Sequence, residues 1–224
     1  VVDSAVEAGL AWRKTPTHER ATRLRRAALG TVAARDRLFQ VLAATTGRPA
    51  SELDAEVNDA VDAARYLGQL ADGLGAVRGA EFLPDTLALV VTSPEAPLGR
   101  AAEAVAAVLA AGSAVMLVAH PAVARVAAVL IEEWEATGLP AGLVRLAVAE
   151  ATDEAHSQLA AEFAADERFD RALFFGTSAG ARACASDTRT GATSAWPQAT
   201  PWRSRRRRCS RSASGSARAP PGAT

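Results

Sequence analysis

Lysine is almost missing from this 224-residue chain: Lys14 is the one lysine among 25 basic residues, and the rest are arginine. Methionine and tyrosine occur once each. Such a skew, with abundant alanine, points to a biased codon pool and carries little functional information. There are two cysteines, Cys184 and Cys209, and no Cys-x-x-Cys spacing. A thiolate metal site and a disulfide framework are therefore not expected, and both read as ordinary reduced thiols. No apolar run approaches the roughly 20 residues that span a bilayer. Nor does a charged-then-apolar segment with a cleavage site open the chain, so no membrane partner and a cytoplasmic location are expected.

Net charge is also lacking, but the zero hides a split. Residues 187–224 hold eight Arg and one Asp, a charge of +7, while the remainder holds 17 basic and 24 acidic residues, a charge of −7. After about Cys184 no apolar stripe is left. The run "SDTRTGATSAWPQATPWRSRRRRCSRSASGSARAPPGAT" is Ser, Ala, Arg, Pro, Gly and Thr, too poor in apolar surface to offset its ordering entropy, so 187–224 is expected to be a disordered basic tail.

What is present is ordered by period. Residues 1–75 read as helices. "HERATRLRRAALGTVAARDRLFQVLAATTG" sets Leu24, Ala28, Val32 and Phe39 at near-helical spacing, with Thr17 as a candidate cap and a stop at Gly47 and Pro49. A second helix is expected from Ser51 as its cap, burying Leu53, Val57, Val61, Ala64 and Leu67 and ending at Gly73 and Gly75. From residue 86 the period changes. "TLALVVTS", "SAVMLVA", "GLVRLAVA" and "DRALFFG" are short apolar runs, and amphipathic helical segments separate them. That alternation predicts βαβ units over 86–186: an α/β, Rossmann-like open parallel sheet behind a helical layer. Trp134 and Phe163 read as helix residues packing on the sheet, and Glu132 and Glu133 as a solvated helix face.

Five phrases, met in order between Ala11 and Arg182, resemble the N-terminal, coenzyme-binding part of the aldehyde dehydrogenase superfamily. They are "AWRKTPTHERATRLRRAA", "TGRPASELDAEVNDAVDAARYL", "VLAAGSAVMLVAHP", "EATGLPAGLVRL" and "FDRALFFGTSAGAR". "EEWEATGLP" and the Ala181-Arg182 pair lean towards the glutamate-semialdehyde (pyrroline-5-carboxylate) dehydrogenases. The resemblance implies a coenzyme-binding domain over 1–186, NAD or NADP as cofactor, a small aldehyde as the intact parent's substrate, and oxidation of that aldehyde to the acid. Ser93 and Pro94 after the first strand, with Gly176 and Thr177 after the last, are the implied coenzyme-binding residues. A turn such as "FFGTSAG" suits that role, because backbone amides at a helix N-terminus accept phosphate.

Three departures stand against this pattern. The family's strand ends in a lysine that bonds the adenosine ribose; here Val118 holds that place, followed by Ala119 and His120. His120 is a candidate donor to a ribose hydroxyl. The family's Pro-Trp-Asn-Phe-Pro, whose Asn donates to the developing oxyanion, is replaced by "SPEAPLG", one residue shorter, with Glu95 or Ala96 where the donor would stand. The thiol phrase Gly-Gln-x-Cys and the base phrase Glu-Leu-Gly-Gly do not occur. A truncated and inactive enzyme is therefore expected, with a tail that resembles a reading-frame change. A non-catalytic structural or assembly domain of the same family is the alternative. The cluster "WRSRRRRCSR" suits non-specific nucleic-acid binding, but with only Trp196 and Trp202 interleaved, nucleic acid is not an expected partner. The family's oligomerising hairpin is shortened between Gly79 and Thr86, so a homo-oligomer stays open rather than assumed.

Overall fold

The computed structural model describes residues 1–76, 79, 82–95 and 97–175. Seven helices and four strands are found there: α1 (Val2–Trp12), α2 (Thr17–Ala33), α3 (Arg35–Thr46), α4 (Ala50–Gly73), β1 (Leu87–Thr92), α5 (Gly99–Ala111), β2 (Ala114–Val118), α6 (Ala124–Ala136), β3 (Val144–Ala147), α7 (Asp153–Ala165) and β4 (Arg171–Phe175). All strand pairs are parallel and the sheet order is β3-β2-β1-β4. Every residue of β1 and β2 is buried, as unbroken apolar runs require of central strands. The outer strand β4 alternates between half-buried and buried residues.

From β1 to β2 to β3 the chain steps one way across the sheet, through α5 and α6. From β3 it returns past both to β4, through α7. Right-handed crossovers place α7 on the face opposite α5 and α6. The helices α2, α3 and α4 pack on α5 and α6, and α1 packs against β1 and β2.

Two sequence expectations about helix starts are corrected. The α2 N-cap is Pro16 and the α4 N-cap is Pro49, so Thr17 and Ser51 lie inside the helices. Proline's fixed φ suits the extended cap, and each carbonyl accepts the first amides: Glu19 N and Arg20 N on Pro16 O at 3.0 and 3.1 Å, Glu52 N and Leu53 N on Pro49 O at 3.0 and 3.2 Å. The single helix expected across 18–46 breaks at Ala34, whose ψ is 8°. Within α2, Leu24 and Ala28 are buried but Val32 is 43% exposed, because each step of four residues drifts about 40° round the helix and Ala27 and Thr31 hold the buried face. The stop at Gly47 is found as expected, in the left-handed conformation with φ 62°.

Glu132 and Glu133 do not form a merely solvated face: Arg37 of α3 bonds them at 2.6 and 2.7 Å, tying α3 to α6. Trp134 is fully buried and donates from Nε1 to Thr31 Oγ1 of α2 at 2.9 Å, so it points to the helical layer as well as the core. Phe163 is partly buried against the core, its ring 5.8 Å from that of Phe169.

Several residues of the family-like phrases tie elements together. Trp12 Nε1 donates to Leu109 O at 2.9 Å, joining α1 to α5. Arg20, 3% exposed, donates to Ala110 O at 3.1 Å and so satisfies a carbonyl at the end of α5. Gly112 follows with φ +94°, and a Cβ there would fall 2.0 Å from Arg20 Nη1. Glycine is thus required both by the turn and by the arginine. Residues 82–85 form no strand, and Cys184, Cys209 and the 187–224 tail lie outside the described residues.

Candidate coenzyme site at the carboxyl ends of the strands

The sheet changes direction between β1 and β4. In open α/β sheets such a point leaves a crevice outside the carboxyl ends of the strands, and ligands bind there. Thr92 and Phe175, the last residues of β1 and β4, are register partners. Ser93 and Pro94 therefore leave the sheet beside the end of β4. Gly176 and Thr177, the other two candidates, lie outside the described residues.

The Ser93 hydroxyl oxygen is buried. It lies close enough to the exposed Glu95 carboxyl to be the largest influence holding that group below the usual range. The Glu95 backbone amide adds to the effect, burial opposes it, and His120 and Arg48 contribute less. Glu95, one of the two residues where the family's oxyanion donor would stand, is thus a carboxylate. It accepts hydrogen bonds and repels negative charge, so it cannot replace an amide N–H.

The end of β2 differs from what a ribose site needs. The Val118 and Ala119 side chains are fully buried. The His120 side chain is only 12% exposed, and both of its ring nitrogens are used: Nδ1 accepts the Ala122 N–H at 3.2 Å, which leaves the proton on Nε2 to bond Asp153 Oδ1 at 2.7 Å. The expectation that His120 donates to a ribose is corrected on this ground. Its ring meets that of His156 edge-on, with centroids 5.1 Å apart. His156, on the first turns of α7 and 6% exposed, bonds the Thr92 backbone, and its Nδ1 has no partner. Burial, helped by the neighbouring His120, pushes its pKa down; the Thr92 bond and Asp153 work the other way.

Helix N-termini are the other anion-binding feature of such an edge, and here the chain supplies its own acceptors. Glu56 Oε2 accepts the Leu98 and Gly99 amides of α5 at 3.2 and 2.7 Å. Thr152 Oγ1 accepts the Ala155 amide of α7, whose first turn also carries Asp153 and Glu154. Among the described residues no group of three or more His, Cys, Asp or Glu side chains could hold a metal ion. No helix there is long and apolar enough to cross a membrane. The family-like phrases contain Arg48 and Glu56 without showing their contact, and nothing in the sequence signals His156.

A helical layer on an open parallel sheet that reverses between β1 and β4 defines an α/β, Rossmann-like class of fold. Within that class the chain belongs to the aldehyde dehydrogenase family, whose model matches residues 1–194. It is 29% identical to the alpha-ketoglutarate semialdehyde dehydrogenase of Haloferax volcanii over 187 residues, 79% of this chain. Those residues span 38% of that relative's length. Among solved structures, the betaine aldehyde dehydrogenase of Staphylococcus aureus in complex with NAD+ matches with a TM-score of 0.76 at 19% identity, over 87% of this chain and 41% of that one. Proline utilization A with proline bound matches with a TM-score of 0.73 at 20% identity, over 83% of this chain and 20% of that one.

Proposed function

We propose that this chain supplies the coenzyme-binding part of an NAD(P)-dependent aldehyde dehydrogenase, with residues 1–186 as the binding unit and 187–224 outside it. The observation that carries this reading is the β1–β4 reversal, with Ser93 and Pro94 at its lip, in a chain that the family model covers from residue 1 to 194. The described residues fit a nucleotide there through the buried Ser93 hydroxyl beside Glu95. They do not fit one at the end of β2, where Val118 offers no polar group.

Ser93, Pro94, Gly176 and Thr177 would hold the coenzyme, whose chemistry when bound is to accept a hydride from the aldehyde carbon. The residues of this chain bind and orient it. They hold no thiol nucleophile in the family's Gly-Gln-x-Cys phrase and no base in its Glu-Leu-Gly-Gly phrase. Glu95 or Ala96 also stands where the oxyanion donor would be, so these residues by themselves are not expected to turn over. The "EEWEATGLP" phrase favours a glutamate-semialdehyde type of substrate, and a cytoplasmic setting accompanies that reading.

Calorimetric titration of the purified chain with NAD+ and with NADP+ tests the proposal. Binding of one dinucleotide that Ser93→Ala weakens, with unchanged circular dichroism, is expected. A folded chain that takes up neither dinucleotide would overturn it.

A further inference from the structure

Arg48 and Glu56 form a clamp from the helical layer onto the segment that joins β1 to α5. Arg48 Nη2 donates to the carbonyls of Pro94 and Glu95 at 3.3 and 3.2 Å, and its Nη1 lies 3.5 Å from Glu56 Oε1. The other Glu56 oxygen accepts both leading amides of α5. One carboxylate and one guanidinium thus hold both ends of the segment that carries Ser93 and Pro94. The fit is close: a Cβ on Gly99 would fall 2.8 Å from Asp59 Cβ and 3.3 Å from Glu56 Oε2. Both clamp residues are mostly buried, with side chains 29% and 17% exposed.

A helix N-terminus with two free amides beside an arginine would be an anion site. Here the anion is part of the chain. We infer that Glu56 is a built-in substitute for a phosphate: held by Arg48, it occupies the N-terminus of α5, fixes the loop after β1 and keeps free anions out. Arg48 and Glu56 are positioning residues, since they act through the backbone of the segment after β1.

Removing the carboxylate tests this, because it should create the site that Glu56 fills. In Glu56→Ala, inorganic phosphate should raise the thermal midpoint beyond the effect of chloride at equal ionic strength, as ligand binding to the native state requires. The wild type should show no such difference. Glu56→Gln, which keeps a carbonyl acceptor in place, should respond less than Glu56→Ala. Hydrogen exchange at the Leu98 and Gly99 amides should be slow in the wild type and about tenfold or more faster in Glu56→Ala. A wild type that responds to phosphate as strongly as the alanine variant would overturn the inference. So would folded variants that show no phosphate response. Should the alanine variant not fold, unprotected Leu98 and Gly99 amides in the wild type would refute the clamp. No arm uses a dinucleotide, so failure of the coenzyme reading is scored separately.

Discussion

Gly9→Ala sets helix propensity directly against packing. Gly9 lies inside α1, where alanine is the better helix former by about 1 kcal/mol. A Cβ built there, however, falls 2.1 Å from Thr86 O, a backbone atom that cannot rotate away. Ordinary carbon–oxygen contacts stop at about 3.3 Å, so α1 must retreat by about 1.2 Å. A shift of that size stretches the 2.9 Å bond from Trp12 to Leu109 O to about 4 Å, beyond hydrogen-bond range. Overpacking costs about 1–3 kcal/mol and the lost bond about 1 kcal/mol. After the propensity gain, a net loss of about 1–3 kcal/mol is expected. Gly73→Ala is the control, because Gly73 ends α4 and a methyl group added there would meet nothing within 4 Å. That substitution should stabilise by about 0.5–1 kcal/mol. Urea unfolding followed by far-UV circular dichroism reads both. A Gly9→Ala chain as stable as the wild type, or more so, would refute the packing argument.

Two further outcomes rest on buried polar groups. His156 has a lowered pKa when folded, so the unfolded chain binds the proton more readily; stability should fall as pH drops below about 6.5, and His156→Gln should flatten that slope between about pH 7 and 5. The Glu95 and Asp166 carboxyls, both lowered, act in a more acidic window that opens below about pH 5. An unchanged slope in His156→Gln, measured from urea midpoints across that range, would dismiss the assignment. For the buried Trp134–Thr31 bond, a double-mutant cycle of Trp134→Phe and Thr31→Val should return a coupling of about 1 kcal/mol; additive losses would show that the bond contributes nothing.

Elements that rest on local chemistry are legible in the sequence alone. Unbroken apolar runs mark β1 and β2, because a strand buried on both faces tolerates no polar residue. Gly47 stops α3, because few other residues adopt positive φ. The alternation of strand and helix leads to the parallel sheet, and the ordered phrases lead to the family. Tertiary packing decides what depends on direction in space. Val32, in α2 ahead of the break at Ala34, faces outward although its spacing suits a buried stripe, because the covered face of α2 runs through Ala27 and Thr31. Arg37 binds Glu132 and Glu133 from a helix nearly a hundred residues earlier in the chain. His120, set before a proline and easily read as a surface residue, has both nitrogens engaged by Asp153 and Ala122. Arg48 and Glu56 are visible in one family-like phrase, yet nothing in their spacing tells that they reach the loop after β1. Periodicity reports which residues share a face of one element; it does not report which second element will cover that face, and the clamp at α5 exists only once α4 has been packed beside it.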